Sequence, residues 1–227
     1  MHERSHFMTL REIDLDMGRN VMSEMVNEFL VSCPALEVLS AEALYVADMA
    51  QDGSQPWACL NLRMLRVNIE LFDPYQEHIE NADNDLEGEG SENDKEARES
   101  MEALQLAGRQ RLIIAQLAKL KKLKVLYANR NRMGFWRSGP KECVEFTLEK
   151  GLDQLAGLTQ LEQIYLGRWD QPRLIEAEWM LNHWRQLKVV QRDLYRVCFD
   201  KSGHDLSAMF AAPEGLHDNQ KEFDVLQ

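Results

Sequence analysis

The chain has 227 residues, 44% of them hydrophobic and 28% charged, and a formal net charge of −12. A globular chain of this length buries roughly 70–75% of its unfolded surface and needs no disulfide or metal to hold it. The acidic balance argues against indiscriminate nucleic-acid binding, which clustered Lys and Arg drive, and no apolar run reaches the roughly 20 residues that cross a bilayer.

Met1 to Leu10 hold no continuous apolar stretch of the kind a secretory leader requires. His2-Glu3-Arg4-Ser5-His6 spells the HExxH string of zinc proteases. That motif works on an interior helix, and a chain end without an apolar helix around it is expected to fray. No metal is expected there.

Leu10-Ile13-Leu15 opens a pattern: an aliphatic residue followed by apolar residues three and five positions later. Val21, Met22, Met25, Val26, Phe29 and Leu30 then recur at helical spacing, and Cys33-Pro34 ends that helix. The pattern returns at Leu36-Leu39-Ala41 and at Leu62-Leu65-Val67. Next comes an acidic segment. Between Asp73 and Glu99 eleven acidic residues face only Lys95 and Arg98, a balance of −9 that leaves −3 for the rest. Residues 73–95 are expected to form a disordered insertion. Asp83 to Asp94 partly matches a calcium-binding EF-hand loop, but Gly90 stands in place of the usual aliphatic residue and Asp94 in place of Glu. Calcium is not expected.

Glu96 to about Leu120 is rich in Ala, Leu, Gln, Glu and Arg, without Pro, and predicts the longest helix. A fourth copy, Leu123-Leu126-Ala128, precedes a second insertion at Asn129–Pro140. Cys143–Leu158 predicts a helix, Leu161-Ile164-Leu166 is the fifth copy, and Ile175–Trp184 predicts another helix. The sixth copy, Leu187-Val190, is degenerate, with Arg192 at its third apolar position. Residues 205–227 read as a flexible tail.

Successive first leucines stand 26, 26, 61, 38 and 26 residues apart. The recurring 26 lies within the about 20–29 residues of leucine-rich repeats. The two long intervals exceed it by 35 and 12, which matches the two insertions. On a helix, positions +3 and +5 would scatter around the cylinder at about 100° per residue. On a strand they point the same way, into one core. The expected fold is therefore α/β, a single curved leucine-rich-repeat solenoid with strands on the concave side, helices outside, and the acidic insertion within it.

Cys33, Cys59, Cys143 and Cys198 are far apart and without CxxC spacing, which fits reduced, buried thiols in a cytoplasmic or nuclear protein. There is no phosphate-cradling glycine loop after a strand and no GxSxG elbow. Neither catalytic residues nor a cofactor is expected. Lys119, Lys121, Lys122 and Lys124, with Arg130, Arg132 and Arg137, form the only basic stretch and read first as a solvated face. The repeat itself offers a surface. If +3 and +5 face the core, the +4 residues Asp14, Ser40, Arg66, Tyr127, Tyr165 and Gln191 face outward and form the expected partner-binding face. Asp16, Met64, Asn68, Asn129, Gln163 and Arg168 would flank it. Tyr and Arg are enriched at binding hot spots.

Cys33-Pro34-Ala35-Leu36-Glu37-Val38-Leu39 resembles the repeat openings of F-box proteins. Pro56-Trp57-Ala58-Cys59-Leu60-Asn61-Leu62-Arg63-Met64-Leu65 resembles a segment of fungal F-box-like proteins, especially those of early-diverging moulds. The stretches from Gly151 to Leu161 and from Glu176 to Leu187 are similar too, so the likeness runs from Leu10 to Val190 outside the acidic insertion. The resemblance implies substrate recognition for an SCF-type ubiquitin ligase: repeats capture a protein target while an F-box docks on a Skp1-type adaptor. The F-box normally precedes the repeats, and here the first repeat begins by Leu10. Adaptor binding is expected only if an F-box lies outside this chain. The alternatives are a free-standing repeat scaffold and a nucleic-acid binder using residues 119–137.

Overall fold

A computed structural model describes residues 7–15, 23–51, 55–71, 92–128, 143–166, 174–192 and 195–198. Among the described residues seven strands form one sheet in strict chain order: β1 (Glu12–Asp14), β2 (Val38–Tyr45), β3 (Met64–Glu70), β4 (Val125–Tyr127), β5 (Gln163–Leu166), β6 (Val189–Arg192) and β7 (Tyr195–Cys198). The first six are parallel, and β7 turns back antiparallel on β6. The α/β expectation holds at this level, with one parallel six-strand sheet and helices packed on it.

Five of these strands are entered from the same turn. The N–H of Leu36 donates to the Cys33 carbonyl (3.1 Å), Leu62 to Cys59 (3.0 Å), Leu123 to Leu120 (2.9 Å), Leu161 to Leu158 (3.0 Å) and Leu187 to Trp184 (2.8 Å). The carbonyl just before each strand then takes two N–H groups of the next one: Glu37 and Val38 both donate to Arg11, and Glu162 and Gln163 both donate to Lys124. This shared geometry sets one register. Ile13, Leu39, Leu65, Leu126, Ile164 and Val190 pair in sequence across six strands, and all six are buried.

The first leucines Leu36, Leu62, Leu123 and Leu161 are fully buried behind them. Each such leucine contributes about 1.5–3 kcal/mol through burial. The +5 positions Ala41, Val67, Ala128 and Leu166 are buried too. One irregularity interrupts the pairing: β2 carries an extra residue between Ser40 and Ala43, a β-bulge that leaves Glu42 exposed.

Among the described residues the α-helices are α1 (Ser23–Ser32), α2 (Val46–Gln51), α3 (Glu92–Leu117) and α4 (Leu174–His183). α1 sends Val26 and Leu30 into the core, and Phe29 meets Phe7 edge to face at 5.9 Å. α3 contributes Ile113, Ile114 and Leu117 to the same core. Its Gln116 holds the chain before β3 by accepting the Trp57 N–H (3.2 Å) and donating to the Gln55 carbonyl (3.1 Å). Gln110 likewise accepts the Glu145 N–H (3.1 Å) and donates to the Glu145 carbonyl (2.7 Å). Trp184 donates its indole N–H to the Leu155 carbonyl at 3.0 Å.

Several elements differ from the sequence expectation. α3 starts at Glu92 rather than Glu96, so residues 92–95, read as part of the disordered insertion, are helical. Cys143–Leu158 is not one α-helix. Cys143 bridges Glu70, and two 3₁₀ helices follow, Leu148–Lys150 and Leu152–Gly157. Leu152, Leu155 and Leu158 recur every third residue, the 3₁₀ period. Gly151 between the helices has φ 99°, where an added Cβ would meet the Gln154 side-chain nitrogen at 2.9 Å. α2 and β7 were not anticipated. The rest of the acidic insertion, the stretch Asn129–Pro140 and the tail 205–227 lie outside the described residues.

Candidate functional site

The register aligns the six expected outward residues. Asp14 pairs with Ser40, Ser40 with Arg66, Arg66 with Tyr127, Tyr127 with Tyr165, and Tyr165 with Gln191. They form one row across the sheet because each stands one residue beyond the buried column. Asp14 is exposed, while Arg66, Tyr127 and Tyr165 are half-buried. Gln191 is placed by its backbone alone.

The middle of the row is a stack. The Arg66 guanidinium carbon lies 5.0 Å from the centre of the Tyr127 ring. Tyr127 and Tyr165 lie parallel within 9°, with centroids 3.6 Å apart. Tyr127 thus has the Arg66 guanidinium toward β3 on one side and the Tyr165 ring toward β5 on the other, and both tyrosines stay half-buried. The Tyr165 hydroxyl donates to the Gln163 side-chain carbonyl at 3.1 Å. Beside the stack runs an apolar strip of Val38, Met64 and Val125, all half-buried and paired in register. Asn68, expected as an exposed position flanking the row, is half-buried and donates to the Glu70 carboxylate.

Ser40 departs from its expected exposure. It is 4% exposed, and its Oγ is buried without a hydrogen-bond partner among the described residues. A short side chain between Asp14 and Arg66, just ahead of the bulge, sits below the level of its neighbours. Arg66 Nε is likewise buried and unpartnered among the described residues. The two atoms belong to paired positions on β2 and β3. An unpaired buried donor costs about 1–3 kcal/mol, so two of them on paired positions mark a place in the row left unsatisfied among the described residues.

A second row runs along the strand entrances: Arg11, Glu37, Arg63, Lys124, Glu162 and Lys188. Glu37 bridges Arg11 (3.6 Å) and Arg63 (3.5 Å), and Glu162 bridges Lys124 (3.2 Å) and Lys188. The two lysines, by hydrogen bond and charge, hold the Glu162 carboxyl below the usual carboxylate range. An open hollow of about 290 Å³ lies here, lined by Arg11, Glu37, Asn61, Arg63 and Lys122. Much of the expected basic stretch is engaged in this frame. Lys119 donates to Gln116 (3.1 Å), Lys122 to Asn61 (2.7 Å), and Lys124 is paired with Glu162. Arg130, Arg132 and Arg137 lie outside the described residues.

Cys33 and Cys59 occupy equivalent turn positions and are both fully buried. Burial pushes the Cys59 thiol up to about 12, and burial with the nearby Glu28 charge raises Cys33. Such thiols are inert packing groups. Among the described residues no cluster of three His, Cys, Asp or Glu side chains could hold a metal, and no helix is long and apolar enough to cross a membrane. The HExxH string and most of the EF-hand-like stretch lie outside the described residues.

Two features were not read from the sequence: the turn position three residues before each first leucine, and the Val38–Met64–Val125 strip. The former is visible in retrospect, because Cys33, Cys59, Leu120, Leu158 and Trp184 are all apolar at that spacing. Compared with protein-family models, curated proteins and solved structures, the chain matches none of them.

Proposed function

We propose that this chain is a leucine-rich-repeat solenoid that recognises a protein target through the row Asp14, Ser40, Arg66, Tyr127, Tyr165 and Gln191. The observation that carries the reading is the Arg66–Tyr127–Tyr165 stack, assembled in register on three neighbouring strands and only half-buried. Arg and Tyr are the residue types that dominate binding hot spots, and the apolar strip beside them supplies area that a partner can cover. The 26-residue spacing of the first leucines and the repeated entry turn support the solenoid.

Within it, the F-box-like segments favour a target presented to an SCF-type ubiquitin ligase, with the adaptor contact supplied outside this chain. The test is affinity capture with the wild-type chain beside a Tyr127→Ala/Tyr165→Ala variant of verified fold. A partner retained by the wild type and lost with the variant supports the proposal. Equal recovery by both would sink it. Whether a Skp1-type adaptor is captured alongside the target separates ligase recognition from a free-standing scaffold.

A further inference from the structure

We infer that Ser40 and Arg66 form an anchor for a carboxylate side chain of the bound protein, presented on an extended segment that crosses the strands. This deepens the proposed recognition face and rests on it. The two groups are paired across β2 and β3, and each holds a buried polar atom without a partner among the described residues. Arg66 Nε–H and a terminal guanidinium N–H form the fork that grips a carboxylate in two parallel hydrogen bonds, and the Ser40 hydroxyl adds a third donor. A carboxylate reaches them when the Arg66 side chain rotates away from Tyr127. Its arrival gives partners to two donors that have none among the described residues, so the bond is stronger for what it relieves.

The surroundings favour the same charge. Tyr127 and Tyr165 stack half-buried beside the anchor, and the edges of such rings carry the positive end of the aromatic quadrupole. The anchor supplies one full positive charge, and exposed Asp14 stands next in the row beyond Ser40. That balance suits a carboxylate monoanion and disfavours a phosphate dianion, which carries about −1.5 to −2. Geometry sets the neighbouring contact. Strands stand about 4.8 Å apart, and an extended peptide places same-side residues about 6.8 Å apart. An apolar residue two positions from the acidic one therefore lands over the stacked pair.

The test is selection of a random phage-displayed peptide library against the whole chain, repeated on Tyr127→Ala, Arg66→Gln and Ser40→Ala. Wild-type selections should enrich Asp or Glu two positions from an apolar residue. A synthetic selected peptide should weaken about ten-fold or more when its acid becomes an amide or when Arg66 becomes Gln, the loss of a charge-assisted hydrogen bond. Ser40→Ala should weaken it by a smaller factor without lowering the melting temperature. Phosphoserine in place of the acid should also weaken binding, and tighter binding would overturn the carboxylate assignment in favour of phosphate. Peptides that need Tyr127 but show no acidic preference overturn the anchor and leave the recognition face standing. Absence of enrichment, or peptides indifferent to both Tyr127 and Arg66, overturns the anchor and counts against the face itself.

Discussion

The rings of Tyr127 and Tyr165 lie 3.6 Å apart and 9° from parallel, although 38 residues separate them in the chain. One register places them there: each is the fourth residue after its first leucine, and the leucines hold the strands level. The stack also couples face to fold. Tyr127→Ala removes both the ring contact and the seat of the Arg66 guanidinium, and should cost about 1–2 kcal/mol of stability. A double-mutant cycle with Tyr165→Ala should return a coupling of about 0.5–1.5 kcal/mol. A coupling near zero in urea melts would mean the rings do not stack in solution.

Ser40→Ala should have the opposite sign. The hydroxyl is buried and unpaired among the described residues, so removing it takes away a desolvated polar group and leaves only a small void. The variant should be as stable as the wild type or up to about 1 kcal/mol more stable. Most substitutions destabilise, so this outcome is diagnostic. A loss of 1 kcal/mol or more on denaturant titration would show that the hydroxyl has a partner in solution.

How legible the molecule was in its sequence depends on which positions repeat. The column Ile13, Leu39, Leu65, Leu126, Ile164 and Val190 could be read because every copy keeps a branched aliphatic residue there, and register follows from a buried column. The row beside it followed by strand alternation alone. Ser40 was misjudged because alternation says which way a side chain points and not how far it reaches beside a bulge. Cys143–Leu158 was misread because leucines every three residues satisfy both the α and the 3₁₀ pattern at short range. The antiparallel β7 carries no repeat signature, and nothing in the column reports it.

Cys33 and Cys59 should resist iodoacetamide in the folded protein and react once it is unfolded, as judged by peptide mass spectrometry. Their raised titration also has a signed consequence. A thiol whose pKa rises on folding lends its stability below its ordinary value, and loses it as pH climbs toward the folded value. For Cys59 that window runs from 9.0 up to about 12. Melting temperature should therefore fall on alkaline titration above pH 9, and Cys59→Ala should flatten the fall. Rapid alkylation of Cys59 at neutral pH under native conditions would contradict the buried turn position.

Glu162 should carry an acid-side dependence. Lys188 and Lys124 lower its pKa from the ordinary 4.5, so its contribution is present above that value and is lost as pH drops through the lowered one. These are surface pairs, each worth about 0.2–1 kcal/mol and weakened by salt. Glu162→Gln should lower stability by that order at neutral pH and low ionic strength, and should bring the acid limbs of the two proteins together. Identical wild-type and variant curves from neutral to acid pH would show that the bridge is not formed.

Leu126→Ala tests the repeat architecture most directly. Leu126 is fully buried in the middle of the column, paired with Leu65 on one side and Ile164 on the other. Stacked strands leave the centre least able to collapse around a cavity, so the cost should be about 2–5 kcal/mol, toward the upper end. Ile13→Ala removes a residue of similar volume at the column's edge, where Leu39 is its only strand partner among the described residues and 7% of its surface is open. It should cost less, near the lower end of the same range. The comparison is made by urea denaturation of both variants beside Tyr127→Ala, with the expected order Leu126, Ile13, Tyr127 in decreasing cost. If Tyr127→Ala proved as costly as Leu126→Ala, the row assigned to partner recognition would instead be core, and the binding face would have to be sought on the other side of the sheet.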